Sequence, residues 1–492
     1  MKSKNTKIVF VRPISPLGYY ARVNMQHPIN LCLLGAIVKN AGFVPYIYDF
    51  EVEGNDESKF IKFIIDREID VVGFSCTTPQ IKFADRLSGK IKRLMPDIKC
   101  VVGGAHISAI PKETFNEFLN FDVGFVGEAD NSIVEYLKCL EKGEEFYNIA
   151  GIVFRRDNEI IFNQNPERIR DLGDVFPARD LLSMNKYMHL NKFKNVAAPG
   201  VYKPDIRATQ LILSRGCIFN CLFCSNVSNF NERKNIPKIV VRNIQSIKEE
   251  ILDCKYRFGI NHFSVQDELF PANRDLLHEF CRIMEQEKLT FNCNSRTDIL
   301  RLEDYYYMKR AGCLQIGFGV ESGSERILRL INKRQTIDKI ANAFDMAKRA
   351  GIRTVGYFLI GSHPDENEED IIETIKFIKY IKPDLITCTL AVPYPGTQLR
   401  NILKEKGLIF SNDWDKYAYY SPEPVWRTFH FSSNDLLEQQ YRVLRSLYLS
   451  PKYILQRLKV LASPSELLML SEGGLRMIKF LYGRYRKKNM HK

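Results

Sequence analysis

Short apolar runs alternate with amphipathic stretches along most of the chain. KIVFV at residues 7–11 is a continuous apolar run of strand length. PINLCLLGAIVKNA at 28–41 places Leu31, Leu34 and Ile37 at three-residue spacing, with Val38 beside them. It stops at Gly42, which predicts a helix with a glycine C-terminal signal. VPYIYDF (44–50), DVVGFSCTT (70–78), IKCVVGGAH (98–106) and FDVGFVGEAD (121–130) read as further strands. FIKFIID (60–66) is amphipathic, and SIVEYLKCL continues the last strand into a helix. Such alternation implies a parallel sheet covered by helices on both faces. Ligands of such sheets bind outside the carboxyl ends of the strands. Those ends carry Ser75, Thr77, Thr78, Gly103, Gly104, Gly127 and Glu128. Glycines there make tight turns, and two in succession also let backbone approach a ligand closely.

GIVFRRDNEIIF carries a hairpin signal, with Asp157-Asn158 at its turn. Pro- and charge-rich sequence follows, and a domain boundary is expected before Ile206. The alternation then resumes. Strand-like runs lie at 210–214, 262–267, 291–296, 314–320, 354–361 and 385–392, each separated by a helical segment. In the first of these segments Ile244, Ile247 and Ile251 share one face, and it ends at Gly259. Six βα units predict a partial (β/α)6 barrel, open on one side, because a closed barrel needs eight. After about 405 the alternation fades into an aromatic-rich stretch with Trp414 and Trp426, then helices. The expected organisation is an α/β chain: a Rossmann-like parallel-sheet domain at 1–150, a connector at 151–205, the partial barrel at 206–405 and a mainly helical region at 406–492.

Composition changes this picture little. At 492 residues, 45% hydrophobic and 26% charged, the chain is ordinary for a globular protein with several cores. No run approaches the roughly 20 apolar residues that cross a bilayer. The MKSKNTKIVFVRP start lacks a signal-peptide pattern, so a cytoplasmic location is expected. The net charge of +13 is spread out, apart from the end of the chain, and no basic element with interleaved aromatics points to nucleic acid. From Arg476 onward there are seven Lys or Arg and no acid, so this helix is either a solvated end or a contact with an anionic membrane surface.

Nine of the twelve cysteines are scattered singly and read as buried small hydrophobes. The other three form SRGCIFNCLFCS, a Cys-x3-Cys-x2-Cys loop of Cys217, Cys221 and Cys224. Three thiolates on one tight loop bind three irons of a cubane cluster and leave the fourth open. A structural zinc site wants four ligands, usually in two spaced pairs, and no second pair appears. A redox dithiol needs only two cysteines.

The loop, with Phe223 just before its last cysteine, resembles the signature of the radical S-adenosylmethionine (radical SAM) superfamily. The resemblance implies a [4Fe–4S] cluster on Cys217, Cys221 and Cys224, whose open iron chelates the amino and carboxylate groups of S-adenosylmethionine. Cleavage to a 5′-deoxyadenosyl radical is then the implied catalytic step. Phe223 is expected near the adenine, Asp267 or Glu268 near the methionine amino group, Arg296 at the third strand end, and Glu321 and Ser322 at ribose or methionine. A charged strand-end residue serves equally as a satisfied ion pair.

GYFLIGSHPDE (356–366) and VPYPGT (392–397) resemble one branch of the superfamily, that of anaerobic magnesium-protoporphyrin ester cyclase-like proteins and hopanoid methylases. His363 departs from the small residue often found there. That branch carries an N-terminal cobalamin-binding domain, which residues 7–150 resemble; Ser75, Thr77, Thr78, Gly103, Gly104, Gly127 and Glu128 are the implied cobalamin contacts. The Asp-x-His-x2-Gly motif that supplies a histidine to cobalt is absent; His27 and His106 stand outside it. The implied activity is methyl transfer to an unactivated carbon. Oxidative cyclisation without net methylation is the alternative, and a non-catalytic cobalamin-binding sensor the alternative of another class. Implied partners are a small-molecule or lipid-like substrate and an electron donor such as flavodoxin or ferredoxin. A methylthiotransferase fits less well, because the C-terminus reads helical rather than as a small β-barrel.

Overall fold

The computed structural model describes residues 5–16, 26–164, 169, 171–190, 206–225, 239–419 and 421–459. The basic segment from Arg476 lies outside the described residues. Among the described residues no helix is long and apolar enough to cross a membrane.

The first sheet contains β1 (Lys7–Arg12), β2 (Val44–Asp49), β3 (Val71–Ser75), β4 (Lys99–Gly103), β5 (Val123–Phe125), β6 (Ile152–Arg156) and β7 (Glu159–Phe162). Its spatial order is β2-β1-β3-β4-β5-β6-β7. The first five strands are mutually parallel. Alternate residues of each strand feed two separate cores. Val9, Val11, Val72 and Phe74 pack on one face with Phe60, Ile64, Leu87 and Ile91 of helices Glu57–Arg67 and Ile81–Leu94. Ile8, Phe10 and Val71 pack on the other with Leu31, Val38, Ile133 and Leu137 of helices Ile29–Asn40 and Asp130–Lys142. That is the two-sided burial expected of parallel strands.

The hairpin forms where expected, with Asp157 (φ 51°) and Asn158 (φ 65°) both left-handed, the geometry a two-residue hairpin turn requires. It does not stand apart as a connector. β6 pairs antiparallel with β5, so the hairpin completes the first sheet.

The second sheet begins with β8 (Ala208–Leu211), followed in the chain by a two-stranded ribbon of β9 (Ser214–Arg215) and β10 (Val240–Val241). It continues through β11 (His262–Val265), β12 (Thr290–Ser295), β13 (Cys313–Glu321), β14 (Arg353–Ile360) and β15 (Leu385–Leu390). Its order, β15-β14-β13-β12-β11-β8, follows the chain, and all five pairings are parallel. No pairing closes β15 onto β8 among the described residues, as the six-unit count predicted. Helix Ser433–Tyr448 packs on β14 and β15. Leu436, Val443 and Leu447 join the same apolar cluster as the barrel and one face of the first sheet.

Two buried polar networks tie the connector into this frame. Arg179 is 2% exposed and donates to Gln210 O at 2.7 Å and to Glu250 at 2.6 Å; Glu250 is also held by Arg242. Asp49, at the end of β2, accepts from Arg12 and from Tyr187 Oη, the latter at 2.6 Å.

Candidate active site at the cysteine loop

The cysteine loop leaves the barrel immediately after β9, and its backbone is pinned on every side. Gly216 N–H donates to Glu268 Oε2 at 3.0 Å. Leu222 N–H donates to Ile331 O, and Leu399 N–H donates to Leu222 O, both at 3.0 Å. Asn332 Nδ2 donates to Asn220 O at 2.7 Å, and Cys224 N–H closes a turn onto Cys221 O at 3.0 Å. Cys221 is buried, and Cys217 and Cys224 are half-buried. Burial pushes the Cys221 thiol up to about 11, while Lys333 and Arg296 pull it down. The donor set therefore fits a cluster: three thiols on one pinned loop, with cations beside the most buried one. Among the described residues no three His, Cys, Asp or Glu side chains converge on a single ion. A cubane does not require that, since each thiolate ligates a different iron.

The strand-end residues divide by what already holds them. Asp267 is 6% exposed and accepts from Leu213 N–H at 2.7 Å and from the Ser214 hydroxyl at 2.6 Å. Burial pushes its carboxyl up to about 7 against those hydrogen bonds. Arg296 forms a two-pronged pair with Asp298, both contacts at 2.9 Å, donates to Lys333 O at 2.9 Å, and lies 3.5 Å from the centroid of the Phe219 ring. Ser322 Oγ is 3.2 Å from Thr374 Oγ1 and accepts from Ser324 N–H. Phe223 is half-buried against the core, and Glu268 is exposed.

Glu321 ends β13 at a register shift, with φ at 68°, and its Oε1 accepts from Lys333 Nζ at 2.7 Å. Gly319 makes room for this pair: a Cβ there would stand 2.7 Å from Glu321 Oε1 and 2.9 Å from Lys333 Nζ. His363 turns inward and accepts from Asp365 N–H at 3.2 Å, which gives it a turn-closing place.

The first sheet presents its own strand ends. A cleft of about 670 Å3 opens beside Ile14 and Pro16 after β1 and Pro79 after β3, and is lined also by Phe83, Glu117 and Asp415. β1 and β3 flank the point where strand order reverses, where crevices form in such sheets. Ser75 accepts from Asn30 Nδ2 at 3.2 Å. Thr77 is exposed and closes a capping box with Gln80, while Thr78 is buried against His106 Nδ1 at 3.3 Å. Gly104, at φ 98°, has no space for a ligand in place of its missing Cβ, because the Cys76 backbone already stands within 2.7 Å of that point. Gly103 is more open, its nearest neighbour 3.9 Å away. Gly127 accepts φ 78° and donates its N–H to Ser108. His27 and His106 are both buried; burial lowers His106 to about 3, so its ring is neutral.

The two sets of strand ends meet. Arg215, two residues before the first cysteine, pairs with Glu128 and Asp130 at 3.2 Å each. Lys82 pairs with Asp413 at 2.8 Å. The pattern of the chain did not single out Arg215, Lys333 or Asn332. Arg215 carries one readable signal, a lone charge between an apolar strand and the Gly-Cys turn.

Residues 211–378 match the radical SAM superfamily and residues 21–137 match the B12 binding domain. The chain is 29% identical to an uncharacterized methyltransferase of Pyrococcus horikoshii, covering 87% of this chain and 89% of that protein. It is 26% identical to the anaerobic magnesium-protoporphyrin IX monomethyl ester cyclase of Cereibacter sphaeroides, covering 85% of this chain and 66% of that protein. Among solved structures it resembles the cobalamin-dependent S-adenosylmethionine radical enzyme OxsB, with a TM-score of 0.72 at 16% identity over 96% of this chain and 70% of that one. With both domains in one chain, the protein is a radical SAM superfamily enzyme that carries a B12-binding domain, and its cofactors are a [4Fe–4S] cluster, S-adenosylmethionine and cobalamin.

Proposed function

We propose that the protein transfers a methyl group to an unactivated carbon of a small-molecule or lipid-like substrate. The observation that carries this reading is the meeting of the cysteine loop with the strand ends of the B12-binding domain through Arg215. When bound, the cluster and S-adenosylmethionine supply a 5′-deoxyadenosyl radical, and cobalamin supplies a transferable methyl group. The chain's own residues position and enclose these groups. Cys217, Cys221 and Cys224 would hold the cluster, on a loop whose backbone is pinned by Glu268, Asn332, Ile331 and Leu399. Phe223 and the exposed Glu268 are the assigned S-adenosylmethionine contacts. Asp267, Arg296, Ser322 and Glu321 have polar atoms taken up inside the protein, Glu321 by Lys333, so they position the loop and the strand ends. Ser75, Thr77, Gly103 and Gly127 are the residues assigned to the cobalamin rim, with Thr78 and Gly104 behind them; Glu128, whose oxygens accept from Arg215 and Ile169 N–H, positions that rim. The chain has no Asp-x-His-x2-Gly motif, so no histidine of that motif would be available to hold cobalt. The external partner would be a low-potential electron donor such as flavodoxin or ferredoxin.

A second reading, oxidative cyclisation without net methylation, is favoured by the cyclase relative. Product mass separates the two. The protein is reconstituted anaerobically with iron, sulfide and cobalamin, then incubated with S-adenosylmethionine, reductant and extract of the host. Release of 5′-deoxyadenosine with a product heavier by one CH2 supports methyl transfer. A product lighter by two hydrogens supports cyclisation. Cobalamin binding with no cleavage of S-adenosylmethionine sinks both and leaves the sensor.

A further inference from the structure

Arg215 occupies an unusual place in this architecture. Its backbone is locked into the barrel from both sides. The residues before it, Leu213 and Ser214, are bonded by Asp267 at 2.7 and 2.6 Å, and the residue after it, Gly216, by Glu268 at 3.0 Å. β9, which contains it, pairs with β10. Its guanidinium reaches the other way. Nη1 donates to Glu128 Oε1 at 3.2 Å, and Nη2 donates to Asp130 Oδ1 at 3.2 Å. The three side chains are only 18%, 13% and 14% exposed, so water screens the contact weakly. Glu128 is fixed in turn by Ile169 N–H on its second oxygen at 3.3 Å, and Asp130 begins helix Asp130–Lys142. A planar fork held by two anchored carboxylates has little freedom to move. A single residue, Gly216, separates this fork from Cys217.

We propose that Arg215 is a positioning residue that sets the separation between the cysteine loop and the strand ends of the B12-binding domain. Its carboxylate partners are the β5-end residues Glu128 and Asp130. The inference rests on the proposed function, in which the cluster and cobalamin act together, and it states which side chain holds the cysteine loop and the B12-binding domain in register. Lysine keeps the charge but lacks the fork, so it is expected to restore the arrangement only in part.

The test uses the full chain reconstituted with its cluster, comparing the unaltered protein with Arg215→Gln, Arg215→Lys and the double variant Glu128→Gln/Asp130→Asn. The first readout is hydrogen exchange of segments 126–131 and 213–217, measured without cobalamin. Arg215→Gln and the double variant are each expected to exchange about tenfold faster in both segments, with Arg215→Lys between them and the original. The second is the electron-spin interaction between the reduced cluster and bound cob(II)alamin, which depends steeply on their separation. Both neutral variants are expected to change or lose it while iron and sulfide content per chain stay the same. Unchanged exchange and unchanged spin interaction in both neutral variants overturn the proposal, and the double variant decides the matter if Arg215→Gln does not fold. If the unaltered protein holds no cobalamin yet exchange rises as expected, the bridge stands and the two-cofactor reading falls. If cobalamin binds and neither exchange nor spin interaction changes in the neutral variants, the bridge falls alone.

Discussion

Trp414 donates its indole N–H to both oxygens of the Glu117 carboxylate, at 2.9 and 2.8 Å. The contact joins the segment after the barrel to the last turn of helix Pro111–Glu117 in the first domain. The Trp414 ring is 4% exposed, with His106 5.0 Å away edge-on and Arg400 5.0 Å from its centroid. The aromatic-rich stretch is therefore a clasp across the two sheets.

Two substitutions separate the clasp's hydrogen bond from its packing. Trp414→Phe keeps most of the ring and removes the donor. Glu117 is exposed and water can replace the indole, so the expected loss is about 1 kcal/mol. Trp414→Ala empties the site between His106, Arg400 and Tyr417, with an expected loss of about 3–5 kcal/mol. Denaturation midpoints of the two variants check this. Equal losses reject a packing role.

The buried pair Lys333–Glu321 stands beside Cys221 at 7% and 9% side-chain exposure. Lys333→Met leaves a carboxylate in the barrel without its cation, and the expected cost is about 3–5 kcal/mol. The double variant Lys333→Met/Glu321→Gln removes the stranded charge and is expected to recover much of that loss. Denaturation of the cluster-free chain measures both. A double variant as unstable as the single one shows that the pair's charge is not what matters.

Much of the architecture was legible because apolar periodicity reports burial directly. The βα units of both sheets appear as runs of strand length, and the Cys-x3-Cys-x2-Cys spacing is local enough to read. What could not be read is where polar side chains spend their hydrogen bonds. Asp267 and Arg296 look like ligand contacts at strand ends, yet their partners are Leu213, Ser214, Asp298 and Lys333. Lys333 has no periodic or motif signal and Arg215 shows only as a lone charge before the Gly-Cys turn, and their partners are 12 and 87 residues away. The hairpin turn was legible from Asp157-Asn158, but its attachment to β5 is an edge pairing decided by tertiary packing.

The three loop cysteines are expected to differ from the scattered ones in metal uptake. Cys221→Ala removes a ligand at the centre of the pinned loop, so anaerobic reconstitution should give little iron and weak visible absorbance. Cys139→Ser changes a half-buried cysteine on helix Asp130–Lys142 and should leave both intact. Iron and sulfide analysis per chain checks the contrast. Full iron uptake by Cys221→Ala rejects the assignment of that ligand.

Glu366 gives the fold a pH dependence of defined sign. It is 1% exposed and accepts from Gly361 N–H at the end of β14. Burial pushes its carboxyl from 4.5 up to about 8; hydrogen bonds from Gly361 and Ser362 oppose this, and Asp370 adds to it. The folded chain therefore holds a proton between about pH 4.5 and about pH 8 that the unfolded chain has released. Where the folded state binds more protons, stability falls as pH rises, so the loss accumulates across that window and levels off above it. Asp267, pushed up to about 7, acts in the same direction over a narrower range. Glu366→Gln cannot ionise and still offers an oxygen to Gly361. It is expected to flatten, without abolishing, the fall in denaturation midpoint between about pH 6 and about pH 9, with a gain on the order of a few kcal/mol at the upper end. If Glu366→Gln falls as steeply as the unaltered chain, the buried carboxyl is not the group responsible.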